Sequence, residues 1–249
     1  MPPRRDLASV GAGWGRNDPR QYDDLAGEWW RPNGLFAPLH WLAAARALLV
    51  PPAARPGALL VDLGCGGGLL APRAARLGDR HVGVDLMPSG LGLARDHGVT
   101  PIRADAAKIP LADGTADVVI AGELLEHVPD PVAVIAEAGR ILRTGGRLIL
   151  DTVNRTVLAH LIVVTLGERL PGKPLRGLHD PRLFVPPAVL VEACARHRIR
   201  LVLRGVRPSL PGVLRWVVGG APARPVPIVP TWSKAVLYQG LGIKQREVA

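Results

Sequence analysis

The sequence predicts an α/β fold in which the short strands of a mostly parallel sheet alternate with helices. The first observation is an apolar strand near residues 59–63 that runs into a cluster of glycines. The second is the alternation of further apolar strands with helical patterns, which is typical of βαβ units. The third is the length, because 249 residues suffice for one α/β domain with a sizeable core but not comfortably for two.

The first strand and the glycines that follow it predict a cradle for a nucleoside-containing ligand. Leu59–Val61 suits a strand buried on both faces, and a helix is predicted over Leu69–Arg76. Between them Gly64, Gly66 and Gly68 allow a sharp turn and a close approach of the backbone to a ligand. We refer to residues 64–68 as the glycine loop.

The spacing of these glycines bears on the choice between two classes of cofactor. Dinucleotide-binding folds use G-x-G-x-x-G, but Leu69 stands where the third glycine belongs. Asp62 at the strand end suits a cationic or hydroxyl-rich ligand better than a pyrophosphate. The pattern D-x-G-x-G-x-G resembles motif I of class I S-adenosylmethionine (SAM) methyltransferases. A glycine loop alone leaves both cofactors open.

Acidic residues at the ends of the next strands favour SAM over NAD. His81–Asp85 is a second strand, and its final carboxylate comes 21 positions after Gly64. A carboxylate at that spacing reaches both ribose hydroxyls of a nucleoside, and a surface turn is the alternative. A third short strand ends at Asp105, which in class I methyltransferases faces the adenine amino group.

The remaining elements continue the alternation toward the carboxyl end of the chain. We predict a helix over Pro88–His97, a fourth strand over Asp117–Ala121, a helix over Pro131–Leu142 and a strand over Arg147–Thr152. Parallel sheets of this kind bind ligands at the carboxyl ends of their strands, so the site is expected there.

The net charge of +10 makes nucleic acid a candidate partner. Only 4% of the residues are aromatic, which leaves few side chains for stacking on bases. Methyltransferases that modify amino groups of nucleic acids carry an N-P-P-Y-like tetrapeptide after the fourth strand, and none follows that strand here. We therefore expect no nucleic-acid partner. No window holds the roughly 20 apolar residues of a membrane-spanning helix.

Two further features bear on location. Arg169, Lys173 and Arg176 follow an apolar stretch, which suggests a peripheral contact with anionic lipid at the inner face of the membrane, a solvated basic loop being the alternative. Cys65 and Cys194 fit neither a metal site nor a disulfide framework, so a cytoplasmic location is expected.

Four segments carry a more specific resemblance. They are Y-D-D-L-A-G-E-W-W at 22–30 with P-L-H at 38–40, E-L-L-E-H-V-P-D-P at 123–131, T-V-N-R at 152–155 and G-L-H-D at 177–180. Together they resemble the ubiquinone-pathway O-methyltransferases, which methylate polyprenyl-hydroxyphenols and demethylubiquinol. The resemblance implies the Rossmann-like, seven-stranded, mostly parallel sheet of class I methyltransferases, with Lys234–Gly240 as its last strand. It also implies a helical amino-terminal lid over residues 1–56 and one methyltransferase domain over 57–249.

The resemblance implies a set of contacts to SAM. Arg46 stands where the family has an arginine on the SAM carboxylate, a solvated helix arginine being the alternative. Gly122 occupies a contact position after the fourth strand. The predicted cofactor-binding residues are Arg46, Asp62, Gly64, Gly66, Asp85, Asp105 and Gly122.

Glu123, Glu126 and His127 form an E-x-x-E-H cluster that some family members are thought to use for a magnesium-like ion. Two carboxylates suit a hard cation, which lowers the pKa of a bound phenol. Imidazole is an unusual magnesium ligand, so His127 is alternatively a general base. A third interpretation is structural, with the acid tethering a loop and the histidine lining the cofactor.

Two more pairs of residues are candidates for contact with the methyl acceptor. His179 and Asp180 suggest a base with its orienting carboxylate, and a histidine that stabilises its own turn is the alternative. Trp29 and Trp30 are predicted to lie on a lid helix, where neighbouring residues are about 100° apart, so one is expected to face the acceptor and the other the domain. The predicted catalytic residues are His127, Glu126 and His179.

Taken together, the residues predict SAM-dependent O-methylation of a phenolic or other hydroxyl group on an apolar small molecule. A polyprenyl phenol or quinol is one such acceptor. The alternatives are C- or N-methylation of a specialised metabolite, and a non-catalytic SAM-binding scaffold.

Overall fold

The computed structural model describes residues 14–31, 34–75, 80–169, 177–219 and 225–247. Its centre is one eight-stranded sheet with the order β3-β2-β1-β4-β5-β8-β6-β7. The strands are β1 (Leu59–Leu63), β2 (Arg80–Asp85), β3 (Thr100–Arg103), β4 (Ala116–Gly122), β5 (Leu142–Val153), β6 (Ile199–Pro208), β7 (Ile228–Thr231) and β8 (Leu237–Lys244). Strands β1 to β5 are parallel to their neighbours, whereas β8 is antiparallel to both β5 and β6. The predicted α/β fold with a mostly parallel sheet is confirmed.

The number of strands corrects the prediction of seven. The additional strand is β7, which pairs antiparallel with β6 at the edge of the sheet. Pro230 is compatible with this strand because an edge strand tolerates a residue without an N–H. The final strand begins at Leu237 and not at Lys234, because the carbonyls of Lys234 and Ala235 accept hydrogen bonds from Asn154 and Thr156 in the loop after β5.

Helices cover both faces of the sheet. They are α1 (Arg20–Asp24), α2 (Ala37–Ala47), α3 (Ala71–Ala74), α4 (Pro88–Asp96), α5 (Pro131–Ile141), α6 (Val157–Ala159), α7 (Pro187–Arg196) and α8 (Leu210–Gly219). Helix α5 begins where Asp130 accepts hydrogen bonds from the backbone N–H groups of Val132 and Ala133, each at 3.0 Å. Helix α3 is shorter than predicted, and Arg76 lies outside the described residues.

The core lies on both sides of β4. Every residue of this strand is buried, as expected for a central parallel strand with helices on both faces. Leu125 and Ile135 pack on one face together with α5, and Leu60 and Ile120 pack on the other. This placement fixes the carboxyl ends of β1, β2, β4 and β5 side by side.

The amino-terminal segment contacts the glycine loop directly. The Trp30 indole Nε1 donates to the Gly67 carbonyl at 2.8 Å, and the Asp23 carboxylate accepts from the Ser89 hydroxyl at the start of α4. Among the described residues no helix is both long and apolar enough to cross a membrane. Of the basic residues predicted to meet lipid, Lys173, Arg176 and the side chain of Arg169 lie outside the described part of the chain.

Candidate active site

The glycine loop turns with backbone angles that favour glycine. Gly64, Gly66 and Gly68 have φ values of +67°, +49° and +77°. A Cβ on Gly68 would lie 2.8 Å from the Cα of Ala94, so this glycine allows α4 to approach the loop. It thus serves the packing role that the third glycine has in dinucleotide folds, one position earlier.

Asp85 at the end of β2 holds the glycine loop in place. Its carboxylate accepts a hydrogen bond from the backbone N–H of Gly66 at 2.9 Å and from that of Met87 at 2.8 Å. Each oxygen retains a lone pair, since a carboxylate offers about four acceptor positions. Burial raises the pKa of Asp85, against the opposing effect of these two N–H groups.

Asp62 is buried near the carboxyl end of β1. It is buried in β1, and its Oδ2 lies 3.6 Å from the Nε2 of His81, which is also buried. Asp105 is exposed after β3, where its carboxylate accepts from the backbone N–H of Ala107 at 2.8 Å. The cofactor contacts predicted for these two acids remain predictions.

Arg46 of α2 reaches the carboxyl ends of β4 and β5. Its Nε and Nη2 donate to the two Asp151 oxygens at 2.7 and 2.9 Å. A Cβ on Gly122 would overlap the guanidinium, which explains the glycine at this position. Burial acts to lower the pKa of Arg46, but the Asp151 carboxylate outweighs it and raises the pKa overall. Nη1 is the guanidinium nitrogen that Asp151 leaves unused.

Glu123 follows β4 with an unusual backbone conformation, φ +52°. Its N–H donates to both the carbonyl and the carboxylate of Asp151, at 3.0 and 3.1 Å. Burial, with Glu126 and Asp151 nearby, raises the pKa of Glu123 well above its usual value. A strained non-glycine residue at a strand end is a feature that accompanies functional sites.

Glu126 is fully buried beneath this loop. Its Oε2 accepts a hydrogen bond from the Thr152 hydroxyl at 2.7 Å, and its Oε1 has no partner. Burial raises the pKa of Glu126 to about 7. The carboxyl therefore keeps its proton through much of the acidic range.

His127 is held as a neutral ring. Its Nδ1 lies 2.5 Å from the Oδ1 of Asn17, and the Asn17 amide donates to the His127 carbonyl at 2.8 Å. This arrangement places the proton on Nδ1, so Nε2 accepts the weak hydrogen bond from the Tyr22 hydroxyl at 3.4 Å. Burial, with an added effect of His179, lowers the pKa of His127 to about 3.

These contacts correct the predicted metal cluster of Glu123, Glu126 and His127. No group of three or more His, Cys, Asp and Glu side chains in the described ranges could hold a metal ion. The physical reason is that the three side chains are directed to different partners. Glu123 belongs to the Arg46–Asp151 group, Glu126 bonds to Thr152, and His127 bonds to Asn17.

The predicted pairing of His179 with Asp180 is also wrong. Asp180 accepts from the backbone N–H and the guanidinium of Arg182, so it caps the next turn. The carboxylate beside His179 is Glu168, whose Oε1 lies 3.4 Å from Nδ1 and also accepts from the His179 backbone N–H at 3.0 Å. Arg16 closes the group by donating to both Glu168 oxygens.

An aromatic cluster from the amino-terminal segment covers the glycine loop. Trp29 stands over Gly66 and Gly67, and its ring lies 4.6 Å from that of Phe36 and 6.1 Å from that of Tyr22, centroid to centroid. Trp30 points the other way and stacks on His97 at 3.6 Å. The rings of His127 and His179 lie 5.1 Å apart beside the cluster.

The sequence did not identify several side chains that organise the site. They are Asn17, Asp151, Thr152 and Glu168. Each acts on a residue distant along the chain, and no local spacing links the two. Cys65 and Cys194 are free and buried.

The fold and the strand-end site together define a SAM-dependent methyltransferase of class I. A family model described as a methyltransferase domain matches residues 61–150. Two solved structures have a similar fold, and each is 19% identical in sequence to this chain. A SAM-dependent methyltransferase from Thermotoga maritima has a TM-score of 0.62, and the match covers 90% of this chain and 98% of that one. Geranyl diphosphate C-methyltransferase from Streptomyces coelicolor A3(2) has a TM-score of 0.58, and the match covers 92% of this chain and 89% of that one. At that identity they show the fold alone.

Curated relatives are much more similar in sequence. The ubiquinone biosynthesis O-methyltransferase of Cupriavidus pinatubonensis is 36% identical over 212 residues, which cover 80% of this chain and 85% of that protein. The protein of the same name from Xanthomonas oryzae is 39% identical over 176 residues, covering 67% and 73%. The chain belongs to this family of SAM-dependent methyltransferases.

Proposed function

We propose that this enzyme transfers the methyl group of SAM to a hydroxyl group of an apolar small molecule, and that a polyprenyl phenol or quinol is such an acceptor. The observation that carries the proposal is the 36% identity to a ubiquinone biosynthesis O-methyltransferase across 80% of the chain. The cluster of Trp29, Tyr22 and Phe36 supports it, because packed aromatic rings suit an apolar ring acceptor.

The strand-end residues suit the chemistry of SAM. Arg46 has an unused Nη1 donor for a carboxylate, Asp85 has free lone pairs for ribose hydroxyls, and the glycine loop offers backbone without Cβ atoms. Gly122 leaves room for the Arg46 guanidinium beside this loop. When bound, SAM supplies an activated methyl group on a sulfonium, which an oxygen nucleophile displaces directly.

We assign proton removal from the acceptor hydroxyl to His179. Its Nδ1 faces Glu168, which favours the tautomer with the proton on Nδ1 and the lone pair on Nε2. His127 is a weaker candidate, because a pKa of about 3 makes its ring a poor base. Glu126 is fully buried and bonds to Thr152, so its part is to hold the loop after β4.

Radiolabelled SAM tests the proposal with a matched pair of acceptors. One is a polyprenyl phenol with a free ring hydroxyl, and the other is the same molecule with hydrogen in place of that hydroxyl. We expect label in the organic phase only with the first, and mass fragmentation should place the methyl on oxygen. Methylation of both acceptors, or a methyl group found on carbon, would refute O-methylation.

The role of His179 has its own readout. His179→Gln should lower kcat with little effect on the KM for SAM, and Glu168→Gln should reduce kcat less. An unchanged kcat in His179→Gln would remove His179 from proton transfer.

A further inference from the structure

Two histidine rings beside the aromatic cluster are held through the same nitrogen. The Nδ1 of His127 lies 2.5 Å from the Oδ1 of Asn17, and the Nδ1 of His179 lies 3.4 Å from the Oε1 of Glu168. The two rings are 5.1 Å apart, centroid to centroid. A neutral imidazole whose Nδ1 proton faces a partner keeps Nε2 as the nitrogen with a lone pair for another group.

Two consecutive residues of the amino-terminal segment contact both of these pairs. The Nη1 of Arg16 donates to the two Glu168 oxygens at 3.3 and 3.2 Å and also donates to the His179 carbonyl. Asn17 contacts His127 a second time, because its amide donates to the His127 carbonyl at 2.8 Å. Arg16 and Asn17 thus join the loop after β4 to the segment that carries His179.

The backbone at Asn17 is docked on the loop that carries His179. The φ of Asn17 is +63°, in the left-handed region that asparagine adopts more readily than most residues. Its N–H donates to the Gly177 carbonyl at 2.7 Å, and the amide of the buried Gln21 donates to the same carbonyl at 3.3 Å. These hydrogen bonds hold the Arg16 and Asn17 side chains next to the two histidines.

The carboxylate that Arg16 contacts stays ionised. Burial acts to raise the pKa of Glu168, but its contacts with His179 and with the Gly177 N–H outweigh burial and lower the pKa, and the Arg16 charge adds to this effect. The backbone N–H of His179 donates to Oε1 at 3.0 Å, and that of Gly177 donates to Oε2 at 2.9 Å. With fixed donors on both oxygens, Glu168 keeps one orientation toward the His179 ring.

The ring that Asn17 contacts stays neutral. Burial lowers the pKa of His127 to about 3, so the ring carries a single proton at neutral pH. The Asn17 oxygen accepts that proton in a hydrogen bond at Nδ1, and Nε2 then accepts the hydrogen bond of the Tyr22 hydroxyl at 3.4 Å. The Tyr22 ring stacks with those of Trp29 and Phe36 at 6.1 and 6.0 Å. Asn17 therefore acts through His127 on the orientation of the Tyr22 ring.

We propose that Arg16 and Asn17 are positioning residues for the acceptor side of the site. Arg16 orients the Glu168 carboxylate and, through it, the His179 ring that takes the acceptor proton. Asn17 orients the His127 ring and, through it, one ring of the aromatic cluster that meets the acceptor. The proposal rests on the proposed function, which assigns proton removal to His179. A segment that only packed on the domain would need neither the charge of Arg16 nor the amide of Asn17.

Steady-state kinetics of the full chain test the role of Arg16. The assay is methyl transfer from radiolabelled SAM to the polyprenyl phenol. Arg16→Met should lower kcat roughly tenfold with little change in the KM for SAM, because a displaced base reacts poorly, and Arg16→Lys should lose less. Arg182→Met is the matched control, because Arg182 lies in the same loop as His179 and is 88% exposed where it pairs with Asp180. A kcat in Arg16→Met equal to that of the control would overturn the role of Arg16.

A double variant distinguishes positioning from packing. In a His179→Gln protein, Arg16→Met should lower kcat no further, because the base on which Arg16 acts is already absent. A further loss as large as in the wild-type protein would contradict the proposal. A normal kcat in His179→Gln alone would refute the base assigned under the proposed function and, with it, the role of Arg16. A low kcat in His179→Gln with a normal kcat in Arg16→Met would refute the positioning role alone.

The tautomer of His127 tests the role of Asn17 without any turnover. Long-range proton–nitrogen NMR spectra should show the proton on Nδ1 in the wild-type protein. Asn17→Gly removes the side chain but tolerates the positive φ, and it should abolish the preference for Nδ1. Asn17→Asp retains an oxygen acceptor and should preserve that preference. Arg198→Gly is the backbone control, because Arg198 has a φ of +58° and lies at the end of the sheet opposite the site.

Acceptor kinetics complete the test of Asn17. Asn17→Gly should raise the KM for the phenol about fivefold, the equivalent of one net hydrogen bond, while the Kd for SAM in calorimetry stays the same and shows that the variant is folded. Tyr22→Phe should have a similar effect, and the double variant should be no worse, since both changes break the same link. Arg198→Gly should alter neither constant. An unchanged His127 tautomer in Asn17→Gly, or an unchanged KM for the phenol, would exclude Asn17 as a positioning residue.

Discussion

The Arg46–Asp151 ion pair offers a sharp test of the site geometry, because its two side chains can be removed separately. They are 8% and 1% exposed, so solvent screens their attraction little. Asp151→Ala leaves the guanidinium buried without its carboxylate, which should lower the free energy of unfolding by about 3–5 kcal/mol. The N–H of Glu123 keeps the Asp151 carbonyl as an acceptor at 3.0 Å, so no further backbone penalty is expected.

The double variant separates the interaction from the cost of an unpaired charge. Arg46→Met with Asp151→Leu replaces both charges with apolar groups of similar size and should cost no more than about 1–2 kcal/mol. Urea unfolding of Arg46→Met, of Asp151→Leu and of the double variant yields the coupling free energy. We expect the double variant to be more stable than Asp151→Ala alone.

A more exposed ion pair provides the control. Arg55 is 54% exposed where it meets Asp117, so Arg55→Met should cost about 1 kcal/mol or less. If Asp151→Ala cost no more than Arg55→Met, the Arg46–Asp151 pair would not be the buried anchor described. Strict additivity of the two single variants would refute their direct contact.

Three further predictions concern the cofactor, a buried carboxyl and the glycine loop. Asp85→Ala should weaken SAM binding in calorimetry by at least about tenfold, since charge-assisted hydrogen bonds are lost; unchanged affinity would remove Asp85 from the site. The folded-state pKa of Glu126, about 7, lies above its ordinary value of 4.5, so the free energy of unfolding should fall as pH rises from about 4.5 to 7. Glu126→Gln should make the free energy of unfolding, measured in urea, depend less on pH over this range. An equally steep pH dependence in the variant would assign the effect to another group. Gly68→Ala should destabilise the protein more than Gly98→Ala in thermal unfolding, because both have positive φ but only the first Cβ would meet Ala94; equal losses would show that strain alone matters.

The features that the sequence predicts are those encoded by neighbouring residues. The D-x-G-x-G-x-G pattern indicates both the turn and the close approach of a helix, and the position of Asp85 follows from the length of one helix and one strand. The predicted bounds of β1, β2 and β4 lie within two residues of the observed ones for the same reason. Hydrophobic runs define a strand wherever it is buried on both faces, as β4 is.

The features that the sequence misses depend on contacts between distant residues. Asp151 lies 105 positions from Arg46, and Asn17 lies 110 positions from His127. The sequence predicts that His179 pairs with its neighbour Asp180, yet Asp180 turns to Arg182, and Glu168 faces the histidine from another segment. Proximity along the chain is poor evidence for a side-chain pair in a loop.

Helix α2 joins the strand-end site to the carboxy-terminal part of the described structure. Its Arg46 is fixed by Asp151 beside the glycine loop, and Trp41, five positions earlier, packs against Trp216 of α8. Because one helix carries both contacts, the place of Arg46 beside the site depends on the packing of α2 against α8 as well as on the ion pair with Asp151.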